Sequence, residues 1–390
     1  MSTTFDTEIN KRLSALRRDL HQHPELKYSE TRTAAIASDH LRSLGLKVQT
    51  GVGKTGVVGL LETGRPGKTV LVRADMDALP VQEENEVEYR SQHSGRMHAC
   101  GHDGHVAIAM MAAEHLVAEQ DSLSGNIKFV FQPAEEGGNG ALAMIDDGVL
   151  ENPKVDATFG LHLWNGLDTG QIGVYPGSMM ASVDEFEITI TGKGGHGAIP
   201  QQTIDAIVVG SQIVNALQTI VSRNVDPLEA AVVTVGTFNA GTAFNVISES
   251  ARLTGTVRTF SKELWEEIPN LFRRIVNGVC DSMGAKAAIH YERLCMPTIN
   301  DPKMAGLAHA AAAATVGEDN VISTNAARTM AGEDMSSFLE KVPGCFFFVG
   351  SRNASKGFIH PHHSPKFDID EDALPIGLEI MTNIVRRYLA

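Results

Sequence analysis

The segment TVLVRADMD, residues 69–77, places a mostly apolar run directly before two aspartates. A short apolar run of this kind is typical of a strand that is buried on both faces. Comparable runs occur at NIKFVFQ (126–132), ATFGLHL (157–163) and CFFFVG (345–350). Segments with helical periodicity, such as 105–120 and 139–148, lie between some of them. This alternation predicts an α/β domain with a largely parallel sheet.

Residues 183–295 interrupt that pattern with a different order of elements. Their apolar periodicity predicts strand, helix, strand, strand, helix and strand. This βαββαβ order is that of a ferredoxin-like unit. We therefore predict one α/β domain formed by residues 1–182 and 296–390, with a compact domain inserted at 183–295.

The hexapeptide GVGKTG (51–56) has the glycine spacing of a dinucleotide-binding turn. That motif requires a strand that leads into a helix, because the helix N-terminus holds the pyrophosphate. Here VVGLLE (57–62) follows, which has the composition of a strand. We therefore predict a hairpin turn between two strands. A dinucleotide-dependent enzyme is the alternative, and it would bind a nicotinamide or flavin cofactor.

Composition argues against several classes of protein. The chain has 390 residues, enough for two or three domains, and a formal net charge of −14. A nucleic-acid partner would need a clustered basic surface, which this charge disfavours. The sequence has neither an apolar run of the ~20 residues that span a membrane nor a signal-peptide core. Four cysteines without a CxxC pair fit a reducing compartment. The expected location is cytoplasmic, with no nucleic-acid or membrane partner.

Polar side chains follow each of the predicted buried strands. They are Asp75, Asp77, Glu135, Glu136, His162 and His363. In open α/β sheets, ligands bind at the carboxyl ends of the strands, so we expect these side chains to converge at one edge. The segment HACGHDGH (98–105) adds Cys100 and His102 to the set.

Carboxylates, histidines and a cysteine buried together would need a cation. This donor set suits zinc or a similar first-row ion, whereas calcium or magnesium would use oxygen alone. On extended backbone, Cys100 and His102 would point to the same side, and the neighbours Glu135 and Glu136 to opposite sides. The five candidate ligands exceed one tetrahedral site and predict two divalent metal ions, with zinc as first choice and manganese or cobalt as alternatives. They are Cys100, His102, Glu136, His162 and His363.

A site of this kind suits hydrolysis. A bound metal ion lowers the pKa of water to about 7 and polarises a carbonyl group, while a carboxylate transfers the proton. Cys100 as a nucleophile is an alternative, but no His–Asn or His–Asp partner pattern accompanies it. A metal-binding scaffold without catalysis is another, and it would not need the second glutamate.

Six motifs, in order along nearly the whole chain, resemble the amidohydrolase branch of the co-catalytic metallopeptidases. They are RADMDALP (73–80), MHACGHDGH (97–105), FQPAEEGG (131–138), GLHLWN (160–165), GKGGHGAIP (192–200) and HHSPKF (362–367). The branch includes hippurate hydrolases, N-acyl-amino-acid amidohydrolases, auxin-conjugate hydrolases and some carboxypeptidases. The resemblance implies a catalytic metal-binding domain at 1–182 and 296–390 and a dimerisation domain at 183–295. It therefore implies a homodimer or homotetramer.

Within the catalytic domain, the resemblance implies the same five metal ligands, with Glu135 as general base. Asp77 matches an aspartate that orients a ligand through a hydrogen bond. Whether Asp75 touches metal stays open. In the inserted domain, His196 matches a histidine that stabilises the tetrahedral oxyanion, commonly in the other subunit. Asn245 and Arg258 match substrate-binding positions, and Arg258 would hold a carboxylate.

The expected activity is hydrolysis of the amide bond of an N-acyl-L-amino acid, of the hippurate or N-acetyl type. The main alternative is a carboxypeptidase that acts on peptides or N-blocked amino acids. Both use the same chemistry and differ on the acyl side of the pocket.

Overall fold

The computed structural model describes residues 7–390. Residues 1–6, which belong to the predicted first domain, lie outside the described residues. The chain divides into two compact units. The first comprises the described residues up to Gly177, Ile299–Arg328 and Asp334–Ala390, and the second comprises Ser178–Thr298 and Thr329–Glu333. The predicted insert, 183–295, falls within the second unit.

The helices in chain order are α1 (Thr7–Gln22), α2 (Thr31–Ser43), α3 (His102–Ala118), α4 (Gly140–Asp146), α5 (Ala206–Thr219), α6 (Lys262–Ser282), α7 (Pro302–Val316), α8 (Ser336–Lys341) and α9 (Ala373–Leu389). Between residues 7 and 390, no helix combines the length and apolarity that crossing a membrane would require.

The strands in chain order are β1 (Lys47–Val52), β2 (Gly56–Glu62), β3 (Thr69–Asp75), β4 (Asn126–Gln132), β5 (Ala157–Asp168), β6 (Ile172–Gly173), β7 (Gly177–Met180), β8 (Val183–Thr191), β9 (Gly195–His196), β10 (Ala231–Ala240), β11 (Val246–Ile247), β12 (Ser250–Thr259), β13 (Lys286–Cys295), β14 (Thr298–Asn300), β15 (Val321–Ile322) and β16 (Gly344–Arg352).

The first unit is built on an eight-stranded sheet with the strand order β1-β2-β4-β3-β5-β16-β6-β15. Its central strands β4, β3, β5 and β16 are mutually parallel. Strand β2 pairs antiparallel with β4, and β1 pairs antiparallel with β2. Every residue of β3 is buried, as the apolar run predicts. Helices α3 and α9 pack against β3 and β5. The predicted α/β class with a mostly parallel sheet is confirmed, and the parallel centre gathers four carboxyl ends at one edge.

The second unit contains a four-stranded antiparallel sheet with the order β10-β12-β8-β13. Helices α5 and α6 pack on each other and on this sheet. Its own core includes Ile188, Leu253 and Phe272, all almost completely buried. The order β8-α5-β10-β12-α6-β13 confirms the predicted ferredoxin-like arrangement.

The GVGKTG segment forms the turn of a β-hairpin, as predicted. Strands β1 and β2 pair antiparallel, and the last pair joins Val52 to Gly56. Because a strand follows the glycines, the helix N-terminus that a dinucleotide would need is not at this turn. The alternative of a dinucleotide-binding turn is therefore wrong.

Candidate metal centre and active site

The segment that carries Cys100 and His102 bends between these two residues. Gly101 adopts the left-handed conformation, with φ of +89°, and His102 is the first residue of α3. The expectation of extended backbone across this stretch is therefore wrong. The bend still brings the two side chains together, because Cys100, His102 and His162 each offer one donor atom within 4.8 Å of the others.

A second group of donors uses the same cysteine. Cys100, Glu136 and His363 also offer donor atoms that all lie within 4.8 Å of one another. In the first group Cys100 Sγ lies 3.5 Å from His162 Nε2, and in the second Glu136 Oε1 lies 3.2 Å from His363 Nε2. The five residues predicted as ligands are thus brought together as two groups that share one sulfur.

Two of these donor atoms are buried without a hydrogen bond. Among the described residues, His102 Nε2 has no hydrogen-bond partner, and Glu136 Oε1, although 3.2 Å from His363 Nε2, is not aligned for a hydrogen bond with it. Buried polar atoms in folded proteins nearly always have one. Sulfur, imidazole and carboxylate donors fit zinc, manganese or cobalt. The residues present therefore fit a site for divalent first-row ions.

The pKa shifts of the donor side chains also indicate a site that favours a cation. Burial raises the pKa of the Cys100 thiol, and the nearby carboxylates of Glu136 and Glu135 raise it further. Burial alone would lower the pKa of His102, but the carboxylates of Asp75 and Asp77 outweigh it and raise that pKa to about 10. Without a metal ion these donors hold protons, which a bound divalent ion would displace.

Glu135 and Glu136 lie in a tight turn after β4. Ala134 has a φ of +55°, and the Gly137 N–H donates to the Glu135 carbonyl oxygen at 2.6 Å. The expectation of extended backbone with opposed side chains is therefore wrong. Donor atoms of His102, Glu135 and Glu136 all lie within 4.8 Å of one another, so both carboxylates reach the same region.

Asp77 holds this turn and one of the histidines. Its carboxylate accepts hydrogen bonds from the backbone N–H of Glu135 at 3.0 Å and of Glu136 at 2.9 Å. Its backbone carbonyl accepts from His102 Nδ1 at 2.8 Å. Since a carbonyl oxygen cannot donate, Nδ1 carries a proton, and Nε2 is the nitrogen whose lone pair can bind a metal ion once its own proton is displaced.

Asp75 uses both carboxylate oxygens in hydrogen bonds. It accepts from His105 Nδ1 and from Arg73 Nη1, each at 2.6 Å. The other nitrogen of His105, Nε2, accepts from the backbone N–H of Leu163 at 2.9 Å, which fixes the tautomer of this histidine. His105 and Asp75 therefore support the segment next to His162.

Arg17 and His21 of α1 also lie behind the site, although the sequence did not mark them. Arg17 is completely buried and donates to Asp103 at 2.8 Å and to Asp368 at 2.7 Å. His21 is also completely buried, with its Nδ1 2.7 Å from a carboxylate oxygen of Asp103. Their spacing could have indicated this burial, because Arg17 and His21 lie on the same face of α1 as the buried Leu13 and Leu20.

The three remaining predicted residues lie in the second unit. His196 is exposed in β9, where it pairs with Val246 of β11. The neighbouring Gly197 N–H donates to the Asn245 carbonyl oxygen at 2.8 Å, which brings the two segments together. Arg258 lies in β12, and its Nη1 is buried with no hydrogen-bond partner among residues 7–390.

The fold and the donor groups together are those of a hydrolase that holds metal ions at the edge of a parallel sheet. The family model described as "Peptidase family M20/M25/M40" matches residues 71–387. The chain belongs to this family.

Similar proteins cover nearly its whole length. Thermostable carboxypeptidase 2 of Saccharolobus solfataricus is 41% identical over 376 residues, covering 95% of this chain and 93% of that protein. N-acetylcysteine deacetylase of Bacillus subtilis is 38% identical over 380 residues, covering 97% of each. A solved Bacillus subtilis structure, described as a dinuclear metal binding peptidase from the M20 family, has a TM-score of 0.85 at 35% identity, covering 98% of this chain and 99% of that one. The chain is thus an enzyme of the amidohydrolase and metallopeptidase class, as predicted, and acts on small-molecule or peptide substrates.

Proposed function

We propose that the protein hydrolyses the amide bond of N-acyl-L-amino acids, of the hippurate or N-acetyl type, with two divalent metal ions per subunit. The observation that carries this proposal is the position of Glu135. Its carboxylate lies within 4.8 Å of the donor atoms of His102 and Glu136, yet it belongs to neither group that contains Cys100. A scaffold that only bound metal would not need it.

In this proposal the five ligands hold zinc, with manganese or cobalt as alternatives. The ions would supply Lewis acidity, which polarises the scissile carbonyl and acidifies a water molecule. Glu135 accepts the proton of the attacking water and returns it to the leaving amine. Asp77 fixes the turn that carries Glu135, because its carboxylate accepts from two backbone N–H groups there.

The second unit would supply groups that bind substrate. Arg258 has a buried Nη1 without a partner in the described part of the chain, which supports a carboxylate ligand. In the proposed roles Asn245 also binds substrate, and His196 stabilises the oxyanion in the other subunit of a homodimer or homotetramer. The edge strand β10 exposes Val232 and Phe238, which supports a dimerisation role for this unit. The cytoplasmic location stays a prediction.

A carboxypeptidase that acts on peptides or N-blocked amino acids is the second candidate. It is favoured by the 41% identity to a protein named thermostable carboxypeptidase 2. The two candidates differ only in what the acyl side of the substrate pocket accepts.

The test is a panel of hippurate, N-acetyl-amino acids and blocked dipeptides, assayed on protein of measured metal content. We expect release of free amino acid from the N-acyl-amino acids, and a preference for blocked dipeptides would instead select the carboxypeptidase. No hydrolysis of any substrate would refute both candidates.

The proposed general base is tested with Glu135→Gln. We expect metal content to stay at the wild-type value and turnover to fall by about 10²-fold or more, because the amide cannot accept the proton. Glu86→Gln, at an exposed position in the same unit, is the matched control. Wild-type turnover in Glu135→Gln would show that another group is the base.

A further inference from the structure

We infer that the β1–β2 hairpin positions the Glu135–Glu136 turn, acting through Glu30 and Tyr28. The inference rests on the proposed function, because it assigns Thr55, Glu30 and Tyr28 a positioning role for the proposed base and for a proposed ligand. It also gives a packing role to Gly53 and Gly56 of GVGKTG.

The glycines of the hairpin allow close packing on both sides of the turn. A Cβ atom on Gly53 would lie 2.7 Å from Met144 Cγ in α4, the helix that follows the turn. A Cβ atom on Gly56 would lie 2.4 Å from the Val52 carbonyl oxygen across the hairpin, 2.8 Å from Met144 Cε and 3.0 Å from Cδ of Pro133, which precedes the turn. These distances leave no room for a side chain at either position. Gly53 and Gly56 therefore allow the hairpin to close and to contact the segments that flank the turn.

A single buried carboxylate connects the hairpin to the start of the turn. Thr55 Oγ1 donates to Glu30 Oε2 at 2.5 Å. The other oxygen, Glu30 Oε1, accepts from the backbone N–H of Ala134 at 2.9 Å and of Tyr28 at 2.8 Å. Glu30 is completely buried, and hydrogen bonds to a buried carboxylate are among the stronger ones in proteins. The residue directly before Glu135 is thus tied to the hairpin through two hydrogen bonds.

The end of the turn is held by the segment before Glu30. The Tyr28 hydroxyl donates to the Gly138 carbonyl oxygen at 2.6 Å, and Lys27 Nζ donates to the Glu136 carbonyl oxygen at 3.1 Å. From the hairpin, Lys54 Nζ lies 3.7 Å from the centre of the Tyr28 ring. The hairpin therefore contacts the residues that hold both ends of the turn.

The backbone of this region is strained. Tyr28 and Ala134 have φ values of +60° and +55°. Residues other than glycine adopt this left-handed backbone conformation only at a cost in free energy. Such strain persists only where surrounding contacts impose it, and it is frequent at active sites. A group that transfers a proton must be held within about 0.5 Å of its productive position. Loosening the contacts should therefore displace the carboxylates of the turn.

The experiment compares Thr55→Val with Thr55→Ser in the full-length, metal-loaded protein. Valine removes the hydroxyl without changing the shape of the side chain, whereas serine keeps it. We expect Thr55→Val to lower kcat about tenfold, the size expected for losing one hydrogen bond to a carboxylate, with KM within about twofold of the wild type. Thr55→Ser should restore kcat.

Thr63→Val is the matched control. Thr63 lies just after β2, and its hydroxyl donates to the Gly125 carbonyl oxygen at 2.9 Å, a threonine hydrogen bond that does not involve the turn. Unchanged kcat in Thr55→Val, or an equal fall in both valine variants, would overturn the inference. If Thr55→Val does not fold, Tyr28→Phe tests the other end of the turn, with Tyr388→Phe as its control. An unchanged kcat in Tyr28→Phe would then overturn the inference.

A second measurement separates this inference from the proposed function. Zinc affinity, determined by competition with a chromophoric chelator, should weaken several-fold in Thr55→Val and stay unchanged in Thr63→Val, because Glu136 lies in the same turn. If the wild type cleaves no substrate, the proposed function fails, but the zinc comparison still decides the positioning role. Equal zinc affinities in the wild type and Thr55→Val would then overturn it.

Discussion

Cys100 contributes its sulfur to both groups of donors, and this sharing predicts how substitutions should differ. We expect Cys100→Ser to weaken metal binding in both groups, because each loses a donor. His162→Ala should weaken only one, because His162 belongs to the group with His102 and not to the group with Glu136 and His363. Dialysis against a fixed zinc concentration, followed by elemental analysis, gives the number of ions retained per chain.

Cys345→Ser controls for the loss of a buried thiol. Its sulfur lies in β16, completely buried and 3.6 Å from the Phe346 carbonyl oxygen, and belongs to neither group. Its metal content should match that of the wild type. Wild-type metal content in Cys100→Ser, or loss of all metal in His162→Ala, would contradict the sharing of one sulfur.

At the scale of the element, Asp184 at the start of β8 makes the second unit sensitive to pH. Its carboxylate accepts from Trp265 Nε1 at 2.9 Å and from the Tyr291 hydroxyl at 2.7 Å. Burial raises the pKa of Asp184 to about 6, although these hydrogen bonds oppose the rise. The folded state therefore holds the proton more tightly than the unfolded chain, where the pKa is about 3.9. This contribution to stability is complete below pH ~4 and is lost as the pH rises through ~6.

Asp184→Asn should remove this dependence. For the wild type we expect the free energy of unfolding of the second unit to fall by about 1 to 2 kcal/mol between pH 4 and pH 6 from this group. In Asp184→Asn this part of the decrease in the free energy of unfolding with pH should be absent. Urea unfolding followed by tryptophan fluorescence measures it, with Trp265 reporting on the second unit and Trp164 on the first, and with the exposed Asp281→Asn as control. Equal slopes in the wild type and Asp184→Asn would contradict the assignment.

The strands were more predictable from the sequence than the turns that carry the proposed ligands. Strand β4 has the bounds that its apolar run predicts, because burial on both faces leaves a continuous pattern. Helix α3 begins at His102, earlier than the periodicity indicates, because left-handed Gly101 precedes it with no side-chain cap. The Glu135–Glu136 turn depends on Asp77 and Glu30, which are distant in the sequence, so local periodicity could not predict it.

At the scale of the whole molecule, residues 7–390 form two hydrophobic cores, and the proposed ligands belong to the unit with the larger one. A ligand that binds only the folded state adds about 2.7 kcal/mol of stability at a hundred times its dissociation constant. We therefore expect two calorimetric transitions. Zinc should raise the midpoint temperature of the transition of the first unit and leave that of the second unit unchanged.

Magnesium is the matched control ion, because it prefers oxygen donors and should shift neither transition. A chelator should reverse the effect of zinc. A single transition that shifts as a whole, or equal shifts with zinc and magnesium, would show that the metal does not stabilise the first unit selectively.

The ion pairs behind the site were the least predictable part of the molecule. Arg17 joins Asp103, next to His102, to Asp368, five residues after His363. These partners are 86 and 351 residues from Arg17 along the chain. A single sequence shows which charges exist but not which of them meet, whereas the family motifs named the five proposed ligands directly.

The shared sulfur of Cys100 also makes both donor groups depend on the redox state of a single residue. Conversion of a thiol to a sulfenic or sulfinic acid alters its donor properties, and at Cys100 one such event would affect both groups at once. A site in which each ion had its own sulfur would lose only half of its metal-binding capacity. Purification under reducing conditions, with metal present to engage the sulfur, is therefore the appropriate way to preserve the enzyme.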